Sequence, residues 1–245
     1  MIPFFRKIRK TLADDNKPLK YFRYAIGEIV LVVIGILIAL SINNWNENRK
    51  MDLQEIKLLS DLHLELKKTL DEIQVGMTFN NISIDDINKI ENYIKNDLPY
   101  STELDSSFGR IPHNFAGSVN SAAYNSLKTM GIGIIQNEKL RIDIINMYDV
   151  KFLTIPDYTI DENLIRSSIV FPFYAKHVMY SENSTYMATP NNFNDLRNNP
   201  EFLNILRLIK RQRIRGIERF DDVLISLNKL IYDLKTELDT KNKST

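Results

Sequence analysis

Cysteine is absent from this chain of 245 residues. That excludes a disulfide framework, a thiolate nucleophile and a Cys-ligated zinc site. It also argues against a small secreted protein stapled by disulfides. Glycine and proline are scarce, at eight each, while Leu, Ile, Lys, Glu and Asn dominate, a balance that suits long helices with polar connections. The net charge of +1 leaves no global field favouring nucleic acid or an acidic substrate. A glycine-rich phosphate loop is missing, because Gly131-Ile132-Gly133 lacks both a third glycine and a preceding strand. No serine elbow appears. His63, His113 and His177 stand far apart, without partners at a metal-ligand spacing such as HExxH. No cofactor or metal site is expected.

What is present is one apolar run, Ile29 to Ile42, inside a segment from Tyr24 to Trp45 whose only charged side chain is Glu28. Roughly 20 apolar residues suffice to span the ~30 Å hydrocarbon core of a bilayer. Arg6, Lys7, Arg9, Lys10, Lys17, Lys20 and Arg23 precede the run against only Asp14 and Asp15. After it, Glu47, Asp52 and Glu55 offset Arg49, Lys50 and Lys57. The Lys/Arg excess predicts a cytoplasmic N-terminus and a periplasmic body at a bacterial inner membrane. Tyr21, Phe22 and Tyr24 then fall at the inner interface and Trp45 at the outer one. The expected organisation is a basic head over 1–23, a transmembrane helix over 24–45 and a helical domain over 46–245. A cleaved signal peptide is the rival reading, with Ala39-Leu40-Ser41 as cleavage pattern; the long head and long apolar run favour an uncleaved anchor.

Three features of the anchor carry further readings. Ile2, Phe4, Phe5, Ile8 and Leu12 alternate with cations, so the head either lies on membrane lipid as an amphipathic helix or only sets topology. Glu28 lies ~5 Å inside the inner boundary at about 1.5 Å per residue. There it can snorkel to water or meet Arg23 or Lys20 of a neighbouring chain; a proton or ion relay is the alternative. Gly27, Gly35 and Ala39 are small, and Gly35 to Ala39 has the small-xxx-small spacing that supports helix association, and with it a homo-oligomer or a membrane-protein complex.

Beyond the span, Ile56, Leu59, His63, Leu66, Leu70, Ile73 and Met77 form a coiled-coil-like seam, widened by Leu53, Leu58 and Leu62. The periodicity weakens over Gly76–Asn81. Ile84, Ile87, Ile90 and Ile94 then predict a second helix, with Ser83 as N-cap ahead of Asp85 and Asp86. A loop is expected over 97–117, with Phe108, Ile111 and Phe115 tucked against the core. Asn120 or Ser121 caps a short helix through Met130 that Gly131 and Gly133 end, and Asn137 opens the next. Pro156 and Pro172 are expected to break or kink the chain through Asp161 to His177. The segment 181–199 reads as a polar loop. Ile217, Phe220, Leu224, Leu227, Ile231, Leu234 and Leu238 mark the last helix, expected to return antiparallel along the membrane-proximal one.

Arg207, Lys210, Arg211, Arg213, Arg215 and Arg219 make that helix basic. Arg207, Lys210, Arg211 and Arg215 are candidates for docking an acidic partner; the plainer reading is a solvated face paired with Asp and Glu. Nucleic acid is not an expected partner, given the predicted compartment and the near absence of interleaved aromatics. Asp85-Asp86 and Asp221-Asp222 are not acid/base pairs, since adjacent helical side chains diverge by about 100°.

The stretches Phe4-Phe5-Arg6-Lys7-Ile8-Arg9, Tyr21-Phe22-Arg23-Tyr24-Ala25-Ile26-Gly27-Glu28-Ile29, Gly35-Ile36-Leu37-Ile38-Ala39-Leu40 and Asn43-Asn44-Trp45-Asn46-Glu47 resemble a family of single-span membrane proteins of flavobacteria and related Bacteroidota, classed as a domain of unknown function. Ser121-Ala122-Ala123-Tyr124, Leu127-Lys128, Gly131, Asn137, Leu140-Arg141 and Tyr148 continue the resemblance. It implies an envelope location and a helical body; no activity is assigned to the family, so none is carried over.

The sequence therefore predicts an all-α protein, a single N-terminal transmembrane helix followed by an antiparallel helical bundle. The leading functional expectation is a non-enzymatic envelope component acting as scaffold or accessory subunit through helix–helix contacts. The alternative is an extracytoplasmic ligand sensor signalling through a partner.

Overall fold

The computed structural model describes residues 18–114 and 119–244. The basic head up to Lys17, the side chains of Tyr21 and Tyr24, and Phe115 lie outside the described residues. The chain is 83 % helical with a small antiparallel two-stranded sheet, so the all-α expectation holds. It divides into two compact units, Met1–Gln54 and Glu55–Thr245.

In the first unit the chain is helical from Pro18, the start of α1 (Pro18–Lys95). Its most apolar window has a mean hydropathy of 2.8 and none of it is buried. A core helix of a soluble protein hides such a face; this one is exposed all round, and it is long and apolar enough to cross a membrane.

In the second unit α1 continues to Lys95 without a break. The expected interruption at Gly76–Asn81, and with it the Ser83 cap, is corrected. The buried stripe of the helix runs on through Ile73, Gly76, Asn80, Ser83 and Ile87. Because three of those residues are small or polar, hydrophobic periodicity fades where the helix does not. The helix stops in a Schellman motif: the Leu98 N–H donates to the Tyr93 carbonyl (3.0 Å) and the Asp97 N–H to that of Ile94 (3.3 Å). Asp97 takes the left-handed conformation, φ 53°, that glycine usually supplies. Arg197 pairs with its carboxylate and donates to the Leu98 carbonyl (2.6 Å).

The expected loop after α1 holds α2 (Asp105–Arg110), on which Phe108 is fully buried. Next come α3 (Ala122–Met130), ended by Gly131 at φ 97°, and α4 (Glu138–Asn146), whose cap Asn137 accepts from the Leu140 N–H (3.1 Å). A π-helical turn, Met147–Lys151, leads to α5 (Thr154–Ile165), and a second, Arg166–Val170, leads to α6 (Phe171–His177). Pro156 sits in the first turn of α5, where the missing N–H has no intrahelical partner to lose; Pro172, in the first turn of α6, follows directly on the π-helical turn, so the helix continues past it instead of breaking. The expected loop over 181–199 is instead a hairpin, β1 (Val178–Ser181) with β2 (Ser184–Pro190), followed by α7 (Phe193–Arg197). Only Val178, Ala188 and Pro190 of the hairpin are buried, too sparse an alternation to read as strands. Asn199 caps α8 (Pro200–Ser244), accepting from the Glu201 (2.9 Å) and Phe202 (3.2 Å) N–H groups, with Pro200 at the first helical position.

Helix α8 returns antiparallel to α1: Lys210 meets Glu91, Arg213 meets Ser83 and Lys241 meets Glu55. Two apolar cores lie along this pair. One joins Leu59, Leu62 and Leu66 of α1 to Phe220, Leu227 and Leu234 of α8, with α3, α4 and α5 packed on it. The other joins Ile87 and Ile90 to Phe202 and Ile205, with α2, α6 and the hairpin. Each such side chain contributes about 1.5–3 kcal/mol by leaving water.

Two histidines give this unit a pH dependence. Burial, helped by Lys67 and Lys235 and opposed by Asp239, lowers the pKa of His63. Burial, opposed by the Thr185 backbone and helped by Arg166 and Arg213, lowers that of His113. The unfolded chain therefore binds protons that the folded one refuses. Stability from both groups is complete above the unfolded value near 6.5 and falls as the pH drops below it. Denaturant midpoints across pH 5–8 are expected to flatten in a His63→Gln/His113→Gln variant; an unchanged profile contradicts this.

Candidate functional site

Four of the residues quoted for the family resemblance, Ala123, Tyr124, Lys128 and Tyr148, meet in one assembly around the buried Glu65. The Glu65 carboxylate, on α1, accepts from the Tyr148 hydroxyl (2.7 Å) and from the Ala123 N–H (2.8 Å). The Tyr124 ring stacks on that of Tyr148 with centroids 4.3 Å apart, and its hydroxyl donates to Asp149 (2.7 Å). The Lys128 ammonium lies 4.6 Å over the Tyr124 ring. Burial, reinforced by Glu65, pushes the Tyr148 phenol far above its ordinary range, so it stays a donor. This assembly locks α3 and the turn after α4 onto α1.

Other interior charges do the same work. Asp86 is not a helix-start residue but a mid-helix carboxylate, buried, accepting from the Ser107 hydroxyl (2.7 Å) and from Arg110 through Nε (2.7 Å) and Nη2 (2.6 Å). That bond raises the Arg110 pKa. Glu55 accepts from the Gln136 N–H (2.9 Å) and pairs with Lys241 (2.8 Å). Arg213, counted in the basic run, is 2 % exposed and points inward. It pairs with Glu162, donates to the His113 carbonyl (2.6 Å) and reaches Ser83 (3.2 Å).

Once Arg213 is withdrawn from the surface, the run resolves into a groove. Arg207, Lys210, Arg211 and Arg215 all line it, with Glu91, Ile214 and Glu218, around a shallow, solvent-open volume of about 430 Å³. The four docking candidates are thus brought together. They are not equivalent: Lys210 is bound to Glu91 at 2.7 Å, whereas Arg207, Arg211 and Arg215 are exposed and make no ion pair among the described residues. Arg207, Arg211 and Arg215 recur every fourth residue, so their guanidinium groups rise along one side of α8 by about 6 Å per step. Asp221 and Asp222 lie exposed on the same helix, Asp222 paired with Lys151 at 2.7 Å.

In the first unit Phe22 and Trp45 are each 63 % exposed, and Arg49 lies over the Trp45 ring at 5.8 Å. Gly27 and Gly35 have open space where a Cβ would stand, and Ala39 is exposed on the same helix. Glu28 is half-buried.

Residues 28–164 match the model of a family described as a family of unknown function (DUF6090). No curated protein and no solved structure matches the chain. The match takes in the Glu65 assembly and Glu91 but ends before α8, which carries the arginine row.

Proposed function

We propose that this chain, which belongs to the family of unknown function DUF6090, is a non-enzymatic scaffold or accessory subunit of the bacterial envelope, anchored in the inner membrane with its head in the cytoplasm and its body in the periplasm. One observation carries the reading. The buried charged side chains Glu55, Glu65, Asp86, Glu162 and Arg213 are each spent on tying an element to α1 or α8. Interior charge of this kind fixes the register of a rigid helical body rather than converging on a reacting atom. What remains for other molecules is surface, the groove along α8 included. The topology follows the Lys/Arg excess before Tyr24, and Trp45 with Arg49 suits the outer interface. Gly35 and Ala39 allow the spans of two copies or of a partner to approach closely.

Two measurements test this. Alkaline phosphatase fused after Thr245 is expected to be active and a fluorescent protein at the same place dark in cells; the reverse overturns the orientation. Crosslinking in intact cells is expected to trap a homo-oligomer or a stoichiometric membrane partner. Recovery of monomers alone overturns the scaffold.

A further inference from the structure

We propose that Arg207, Arg211 and Arg215 receive an acidic amphipathic helix of a protein partner, one that shows carboxylates on successive turns beside an apolar residue. The inference rests on the scaffold reading, since it names what the scaffold holds. Four cations against two carboxylates make the groove electropositive. With Lys210 already paired to Glu91, the arginine row supplies the uncompensated charge. A row of planar guanidinium groups spaced by about 6 Å matches carboxylates at the same spacing on another helix, and each can engage one of them bidentately.

The remaining lining selects among anions. Ile214 is 44 % exposed within the groove, an apolar contact that a phosphate chain cannot use. Glu91 and Glu218 repel a uniformly charged polyanion but tolerate a helix whose charge is patterned. The helix that carries the row is also held from behind. Arg213 is fixed by Glu162 and the His113 carbonyl, and Gly216 lets the backbone of α8 pack directly against the Tyr158 and Asn80 side chains. A fixed backbone keeps the three arginines on one side of α8, so the helix itself need not rearrange when they bind.

The test uses the full chain in nanodiscs and a labelled peptide of about 18 residues, five helical turns, with Glu at every fourth position and Leu alongside. Saturable binding is expected, weakened about tenfold by Arg211→Glu and further by the Arg207→Glu/Arg211→Glu/Arg215→Glu variant, with milder loss in Arg211→Gln. A scrambled peptide of equal composition is expected to bind distinctly more weakly, a comparison that needs only the unmodified protein. No binding, equal binding of the scramble, equal competition by polyphosphate, or indifference to the triple substitution in protein with an unchanged helical spectrum overturns the proposal. A complex crosslinked in cells that persists in the triple variant overturns the groove and leaves the scaffold standing; no complex in the unmodified protein overturns the scaffold itself.

Discussion

Arg213→Met is expected to cost the body about 3–5 kcal/mol, because it strands the Glu162 carboxylate in the interior without its counter-charge. Both partners are almost fully withdrawn from water, at 2 % and 6 % side-chain exposure, so solvent cannot screen the loss. The His113 carbonyl loses a donor at the same time. Replacing the pair together, Arg213→Met with Glu162→Leu, is expected to recover most of that loss, since apolar side chains of similar volume avoid the desolvation penalty of both ions. Urea unfolding of the full chain in detergent, followed by far-UV circular dichroism, measures both. A single substitution costing less than about 1 kcal/mol, or a double one costing as much as the single, would show that the pair does not hold α5 to α8.

The second large effect is expected at Gly109 on α2. A Cβ there would collide with backbone atoms of Tyr186 and Met187 on β2. A flexible side chain can swing aside; a strand backbone tied into a hairpin cannot. Two effects of opposite sign compete in Gly109→Ala. Helix propensity alone would stabilise α2 by about 0.5–1 kcal/mol. Overpacking costs about 1–3 kcal/mol, and more when the obstacle is backbone. Net destabilisation of at least ~2 kcal/mol is expected, with amide-exchange protection lost first in β1, β2 and α2. A neutral or stabilising result would mean that the hairpin does not bear on Gly109. Gly216 differs in kind, because the atoms nearest to it belong to the side chains of Tyr158 and Asn80 and not to backbone.

These two sites mark where the chain's pattern was legible and where it was not. The apolar span, the seam from Leu59 to Ile73 and the ladder from Phe220 to Leu234 were legible because leucines and isoleucines at three- and four-residue spacing report a buried helical face directly. Gly131 and Asn137 were legible because helix ends demand particular backbone and side-chain chemistry. Asn80, Ser83 and Asp86 misled for the same reason. A polar residue on a buried stripe looks like a break until its partner is known, and those of Ser83 and Asp86 lie on distant parts of the chain, Arg213 and Arg110. The hairpin escaped notice because its strands are short and mostly exposed.

The basic run shows the division at single-residue scale. The sequence placed six cations in one run, Arg207 to Arg219, and it could not tell Arg211 from Arg213. By itself the sequence determined the helical class, the apolar segment with its charge asymmetry, and the apolar ladder of the last helix, because each follows from local periodicity or from hydrophobic length. Tertiary structure alone decided that Arg213 is an interior strut while Arg207, Arg211 and Arg215 share an open groove with Ile214. The reason is geometric: a residue's fate on a helix depends on which side its neighbours occupy, and those neighbours, Ser83, His113 and Glu162, come from segments the local pattern cannot bring together.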